Sequence, residues 1–141
     1  MSKKILIADD HYVVKIALAI ILKKLNISII IDHVKTQNHI IQKLTNTKYD
    51  LLILDIRINS KASIIKKLKQ MNPTLKILIF TDSINEKISL QYLFEGADAF
   101  LAKDSDEIKI TNTLNSILTK EFYYSQEFIF NTIKEDSTLC Q

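Results

Sequence analysis

The chain has 141 residues, 47% of them hydrophobic and 25% charged, with a net charge of +3. That length suits one domain able to bury its own core, and no apolar run approaches the roughly 20 residues that cross a bilayer. A single glycine and a single proline leave no glycine-rich loop, so neither a P-loop nor a dinucleotide fingerprint can be written.

The N-terminus, "MSKKILIADD", carries two lysines but meets acids within ten residues and offers no small-residue cleavage site, so it does not read as a signal peptide. Immediately inside it, "KILIA" (Lys4 to Ala8) reads as a strand. Val14, Ala17, Leu18, Ile21, Leu22 and Leu25 then recur at spacings of three and four, the pattern of an amphipathic helix. "ISIII" (Ile27 to Ile31) is β-branched and predicts a second strand. Ile40, Ile41 and Leu44 mark a helix that Thr36 can cap.

"LLIL" (Leu51 to Leu54) is the third strand, followed by a helix on Ile64, Ile65, Leu68 and Met71. Lys66, Lys67 and Lys69 there form the densest basic cluster, read as a solvated helix face rather than a dock for an acidic partner. Pro73 breaks the chain before "KILIF" (Lys76 to Phe80), the fourth strand. Ile88, Leu90, Tyr92, Leu93 and Phe94 lie in a fourth helix, and Gly96 stands where its C-terminal cap is needed. "AFLA" (Ala99 to Ala102) is a short fifth strand, and Ile110, Leu114, Ile117 and Leu118 mark a fifth helix. Cys140 is the lone cysteine; it can form no internal disulfide and fits a reducing, cytoplasmic setting.

Five βα units with continuous apolar strands imply a parallel sheet covered on both faces, a doubly wound α/β sandwich. Such sheets bind ligands at the carboxyl ends of their strands. Strand one ends in Asp9 and Asp10, strand two in Asp32, strand three in Asp55 and strand four in Thr81 and Asp82; strand five runs into Lys103. Carboxylates crowded together repel unless a cation neutralises them. Mg²⁺ favours a few carboxylates with water and phosphate oxygens. A carboxylate so placed can attack phosphorus to give an acyl phosphate, and Lys103 and Thr81 are of the right type to hold phosphoryl oxygens.

In "ILIADDH", "YDLLILD", "ILIFTDS" and "GADAFLAKDS" the chain resembles the receiver domain of a two-component response regulator, from Lys4 to about Lys120. The resemblance implies a flavodoxin-like sheet in the order 2-1-3-4-5. It implies that Asp55 accepts a phosphoryl group from a sensor histidine kinase. Asp10, Asp55 and the backbone carbonyl of Arg57 would bind Mg²⁺ directly, and Asp9 largely through water. Thr81 and Lys103 would bind the phosphoryl oxygens, with Phe100 as the switch aromatic that turns inward as Thr81 shifts. A homodimer through the fourth helix, fifth strand and fifth helix is the expected readout.

"ADDH" and "TKEFYYSQEF" are similar to the subfamily with a LuxR-type helix-turn-helix output, so DNA would be reached only through a domain that this chain does not contain. Residues 1–121 are then the receiver, and 122–141 a linker or helix leading to that output. Either the chain is the receiver portion of a longer protein, the favoured reading, or it acts without an output. Asn59 and Ser63 depart from the family, which has proline and glycine there, so the loop after the third strand is expected to take another path.

Each residue also has a plainer reading. Asp9 and Asp10 fit an ordinary polar loop, Asp55 and Thr81 fit helix caps, Lys103 fits the surface, and Phe100 and Tyr92 fit the core. His11, His33 and His39 lack ligand spacing with any cysteine and read as solvated or packing residues. Two rival functions remain open: a receiver-like interaction module that is never phosphorylated, and a Mg²⁺-dependent phosphatase, which lacks a DxDxT nucleophile motif.

Overall fold

Strands that are apolar at every position need cover on both faces, and the sheet has it. The structure, a computed structural model, describes residues 2–58, 61–82 and 85–119. Its strands are β1 (Lys3–Ala8), β2 (Ile29–Val34), β3 (Leu51–Leu54), β4 (Lys76–Thr81) and β5 (Ala99–Ala102). They alternate with α1 (Tyr12–Lys24), α2 (Gln37–Asn46), α3 (Ser63–Met71), α4 (Glu86–Phe94) and α5 (Glu107–Thr119). All pairings are parallel, in the order β2-β1-β3-β4-β5.

Alternation along each strand feeds two cores. Leu6, Leu52, Leu54, Ile77, Ile79 and Phe100 pack beneath α2, α3 and α4. Ile5, Ile7, Leu51, Ile53, Leu78 and Leu101 point the other way, against Leu18 and Leu22 of α1 and Leu114 of α5. The sequence order reverses between β1 and β3, so their carboxyl ends flank the crevice that an open α/β sheet offers to ligands.

Several boundaries differ from expectation. β2 does not end at Asp32 but runs on to Val34, with Asp32 paired to Leu6 in register. An acid is tolerated there because β2 is an edge strand and the Tyr49 hydroxyl donates to Asp32 Oδ2 at 2.5 Å. Burial, that hydrogen bond and the Asp32 charge push the Tyr49 phenol up to about 12. Met71 and Phe94, counted on apolar faces, turn outward, Phe94 with 82% of its surface exposed. Lys69 leaves its basic neighbours and reaches inward to Asp98 Oδ2 and the Leu75 carbonyl.

Caps explain where helices begin and end. Thr36 accepts from the His39 amide, as its position suggested, and Asn85 accepts from that of Ile88. Asn85, not Thr81, therefore caps α4, which leaves the Thr81 hydroxyl for other work. At the far end the Gly96 amide donates to Leu93 and that of Ala97 to Tyr92, closing a Schellman turn. Gly96 sits at φ +115°, a conformation an L side chain rarely adopts. Ser63 opens α3 with no side-chain cap before it. Asn59, the other departure, and the expected linker 122–141 lie outside the described residues.

Candidate functional site: an acid cluster at the β1–β3 crevice

Every site residue named from the sequence comes to this crevice or next to it. Asp9 follows β1, Asp55 follows β3, Thr81 closes β4 and Lys103 follows β5. Backbone bonds lock the ends together: the Asp55 amide donates to the Ala8 carbonyl at 3.0 Å, and that of Lys103 to Thr81 at 2.9 Å. Asp10, beside Asp9, stays at the surface with its side chain 59% exposed. Asp32 is not part of the site.

Asp55 is almost wholly buried, and both its oxygens are held. Oδ2 accepts from Lys103 Nζ at 2.8 Å. Oδ1 accepts from the Arg57 amide at 3.0 Å and from the Thr81 hydroxyl at 3.2 Å. Lys103 Nζ also lies 2.7 Å from Asp9 Oδ2, so one ammonium bridges two buried carboxylates. Burial alone would lower the Lys103 pKa, but hydrogen bonds to Asp55 and Asp9, together with their charges, raise it above the usual lysine value. The ammonium stands where the chemistry of the donor set asks for a cation. Donor atoms of Asp9, Asp10, His11 and Asp55 all lie within 4.8 Å of one another, which fits a divalent ion.

His11, read from the sequence as solvated or packing, lies against the acids with its side chain 41% exposed. Its amide donates to Asp9 Oδ1 at 2.8 Å, and this short turn brings the ring back over the acids. Nδ1 sits 2.9 Å from Asp9 Oδ1, 3.3 Å from Asp10 Oδ1 and 3.9 Å from Asp55 Oδ2. An aspartate two residues before a histidine, at the end of a buried strand, was the available signal. His33 supports the same loop from β2, its Nε2 lying 2.7 Å from the Asp9 carbonyl oxygen. His39 stays outside the cluster.

Arg57 lies in a 3₁₀ turn (Ile56–Ile58), and its side chain extends to Asp82, with Nη1 3.2 Å from Oδ2, so the loops after β3 and β4 are tied across the mouth of the site. Phe100 is already inside, edge-on to Tyr92 with ring centroids 6.2 Å apart. Thr81 already leans on Asp55, and Phe100 fills the core behind it.

The profile of the response regulator receiver domain matches residues 5–115. The chain belongs to that family. It is a receiver domain of the two-component class, a signalling switch rather than a metabolic enzyme. The response regulator protein VraR of Staphylococcus saprophyticus is 21% identical, over the whole of this chain and 70% of its own length. The oxygen regulatory protein NreC of Staphylococcus aureus is 25% identical over 94% of this chain; the match spans 62% of NreC, less than two thirds of that protein. Among solved structures, a LuxR-family two-component response regulator from Aurantimonas superposes with a TM-score of 0.78 at 18% identity, covering 97% of this chain and 99% of that one. A Burkholderia pseudomallei response regulator, solved with a phosphorylated aspartic acid, calcium ion and citrate, gives 0.73 at 21% identity, covering 94% and 74%. At these identities the structural likeness establishes the fold. Among the described residues no helix of the receiver is long and apolar enough to cross a membrane.

Proposed function

We propose that this receiver is switched by phosphorylation of Asp55, with a sensor histidine kinase as donor and Mg²⁺ as the required ion. The observation that carries the reading is a buried carboxylate whose two oxygens are held by Lys103, Thr81 and the Arg57 amide, with two further acids beside it. A helix cap would need none of these partners.

In the transfer, an Asp55 oxygen attacks the phosphorus of a phosphohistidine. A P–O bond forms as the P–N bond breaks, and the departing imidazole nitrogen keeps the electron pair and is protonated from water. Asp10, Asp55 and the Arg57 carbonyl would hold Mg²⁺, which when bound would supply positive charge against the phosphoryl oxygens. Asp9 has its oxygens engaged by Lys103 and His11, which suits contact through water. Asp10 is exposed and can turn to the ion. Lys103 and Thr81, which hold the free carboxylate, would shift their hydrogen bonds to the phosphoryl oxygens once Asp55 carries the acyl phosphate.

The acyl phosphate adds about two negative charges. Its differential contacts with Thr81 and Lys103 favour the state with Thr81 drawn in and Phe100 in the core, and only such a difference shifts an equilibrium. The surface that follows is α4, β5 and α5, where self-association is the proposed readout.

Fluorine NMR with beryllofluoride and Mg²⁺ tests the site. Bound fluoride signals are expected with the parent protein and not with Asp55→Asn. Bound signals that survive Asp55→Asn would place the phosphoryl site elsewhere.

A further inference from the structure

We infer that the outer face of α1 pairs with the same face of a second copy of this chain, the two helices antiparallel about a two-fold axis between Ile16 and Ala17. Eight large hydrophobics are exposed among the described residues, and four of them, Tyr12, Val13, Ile16 and Ile20, lie on this one helix. Leu18 and Leu22 hold α1 to the sheet. At about 3.6 residues per turn, Val13, Ile16, Ala17 and Ile20 form one stripe on the opposite side, at the i, i+3, i+4, i+7 spacing by which helices pair. A contiguous apolar stripe facing water marks a protein contact.

The symmetry of the stripe identifies its occupant. In an antiparallel pair each residue meets the one equally far on the other side of the axis. Val13 then meets Ile20 of the second copy, and Ile16 meets its Ala17. Ala17 is exposed, and its small side chain lets the axes approach to the roughly 8–10 Å of packed helices. A two-fold contact uses one patch twice, and this patch is complementary to itself.

Charge at the two ends selects the same arrangement. The last turn of α1 carries Lys23 and Lys24, and its first turn carries no acid. Lys24 is engaged within the chain, with Nζ 3.0 Å from Glu107 Oε1. Lys23 is exposed, and antiparallel pairing brings it level with Asp10 of the second copy, whose side chain is 59% exposed. A parallel pair would instead set Lys23 against Lys23 and align the helix dipoles. Exposed ion pairs add little affinity, but they fix orientation. This contact is separate from the association proposed at α4, β5 and α5, and it needs no phosphoryl group.

The test uses the whole chain without Mg²⁺ or beryllofluoride. In sedimentation equilibrium at rising concentration, the average mass should climb from one chain towards two. Val13→Asp, at a position 77% exposed, should hold it at one chain. Lys23→Glu, which turns two attractive pairs repulsive, should raise the dissociation constant by about tenfold, and Phe94→Ser should leave it unchanged. Cysteine pairs report the register in a Cys140→Ser background, with circular dichroism checking that each variant is folded. Ala17→Cys should cross-link with itself on oxidation. Val13→Cys should not, because its two copies lie about 10 Å apart along the axis, but a mixture of Val13→Cys and Ile20→Cys should. A mass of one chain at every concentration would overturn the inference and leave the stripe to a different protein. So would a gain that Phe94→Ser removes, or Val13→Cys cross-linking with itself while the mixture gives nothing more.

Discussion

Removing the Lys103 ammonium would leave Asp9 and Asp55 buried and facing one another without a cation. Lys103→Ala should therefore lower stability in a chelating buffer by about 3 kcal/mol, the scale on which a broken buried ion pair exposes its partner's charge. Saturating Mg²⁺ should restore part of the loss, because an ion bound only by the folded chain stabilises it. Urea unfolding with and without Mg²⁺ measures both; a variant as stable as its parent in chelator contradicts the electrostatic account. Tyr49 makes a separate prediction. The folded chain keeps its phenol protonated up to about 12, while the unfolded phenol ionises near 10. Its contribution is thus whole below pH 10 and fades as pH rises towards 12, by roughly 2–3 kcal/mol. Tyr49→Phe should cost about 1–2 kcal/mol at pH 7 through the lost bond to Asp32, and should flatten the decline above pH 10. At this scale the acids, Thr81 and Lys103 were legible, since polar residues ending buried strands have few places to go. The place of His11 was not, because only the turn at Asp9 brings its ring within reach of the acids.

At the scale of elements, apolar runs gave the strands their places, and their alternation between two cores explains why every position could be hydrophobic. Boundaries were less legible. β2 extends three residues past its β-branched run because Asp32 is satisfied by Tyr49, a contact between segments that no local pattern contains. The cap of α4 is Asn85, while Thr81, whose plainer reading was that cap, ends β4 four residues earlier and donates to Asp55 instead. Asn85→Ala should cost about 1 kcal/mol and speed amide exchange in the first turn of α4 before the rest of the domain. Gly96→Ala isolates a backbone effect. An added Cβ would meet Lys69 Cγ at 3.7 Å and Ile65 Cγ2 at 3.9 Å, ordinary contacts, so the cost is that of the positive φ. A loss of about 1–2 kcal/mol, read by thermal unfolding, is expected; no loss would mean that the Schellman turn rearranges cheaply.

For the whole molecule, the question is how a local acyl phosphate reaches a partner. Thr81 and Phe100 link the site to α4 and β5, and near that face Phe94 and Ile108 leave large apolar surfaces exposed. If association uses this face, Phe94→Ser should abolish any beryllofluoride-dependent gain in mass on sedimentation while leaving the folded monomer intact. A gain that persists would move the interface elsewhere. All of this depends on Asp55 accepting phosphate, and the most direct measurement is intact mass after incubation with acetyl phosphate. The account predicts one added phosphoryl group in Mg²⁺, none in chelator, and none for Asp55→Asn in Mg²⁺. An unmodified parent chain in Mg²⁺, or an equal gain in Asp55→Asn, would contradict it and favour a receiver fold kept for binding alone.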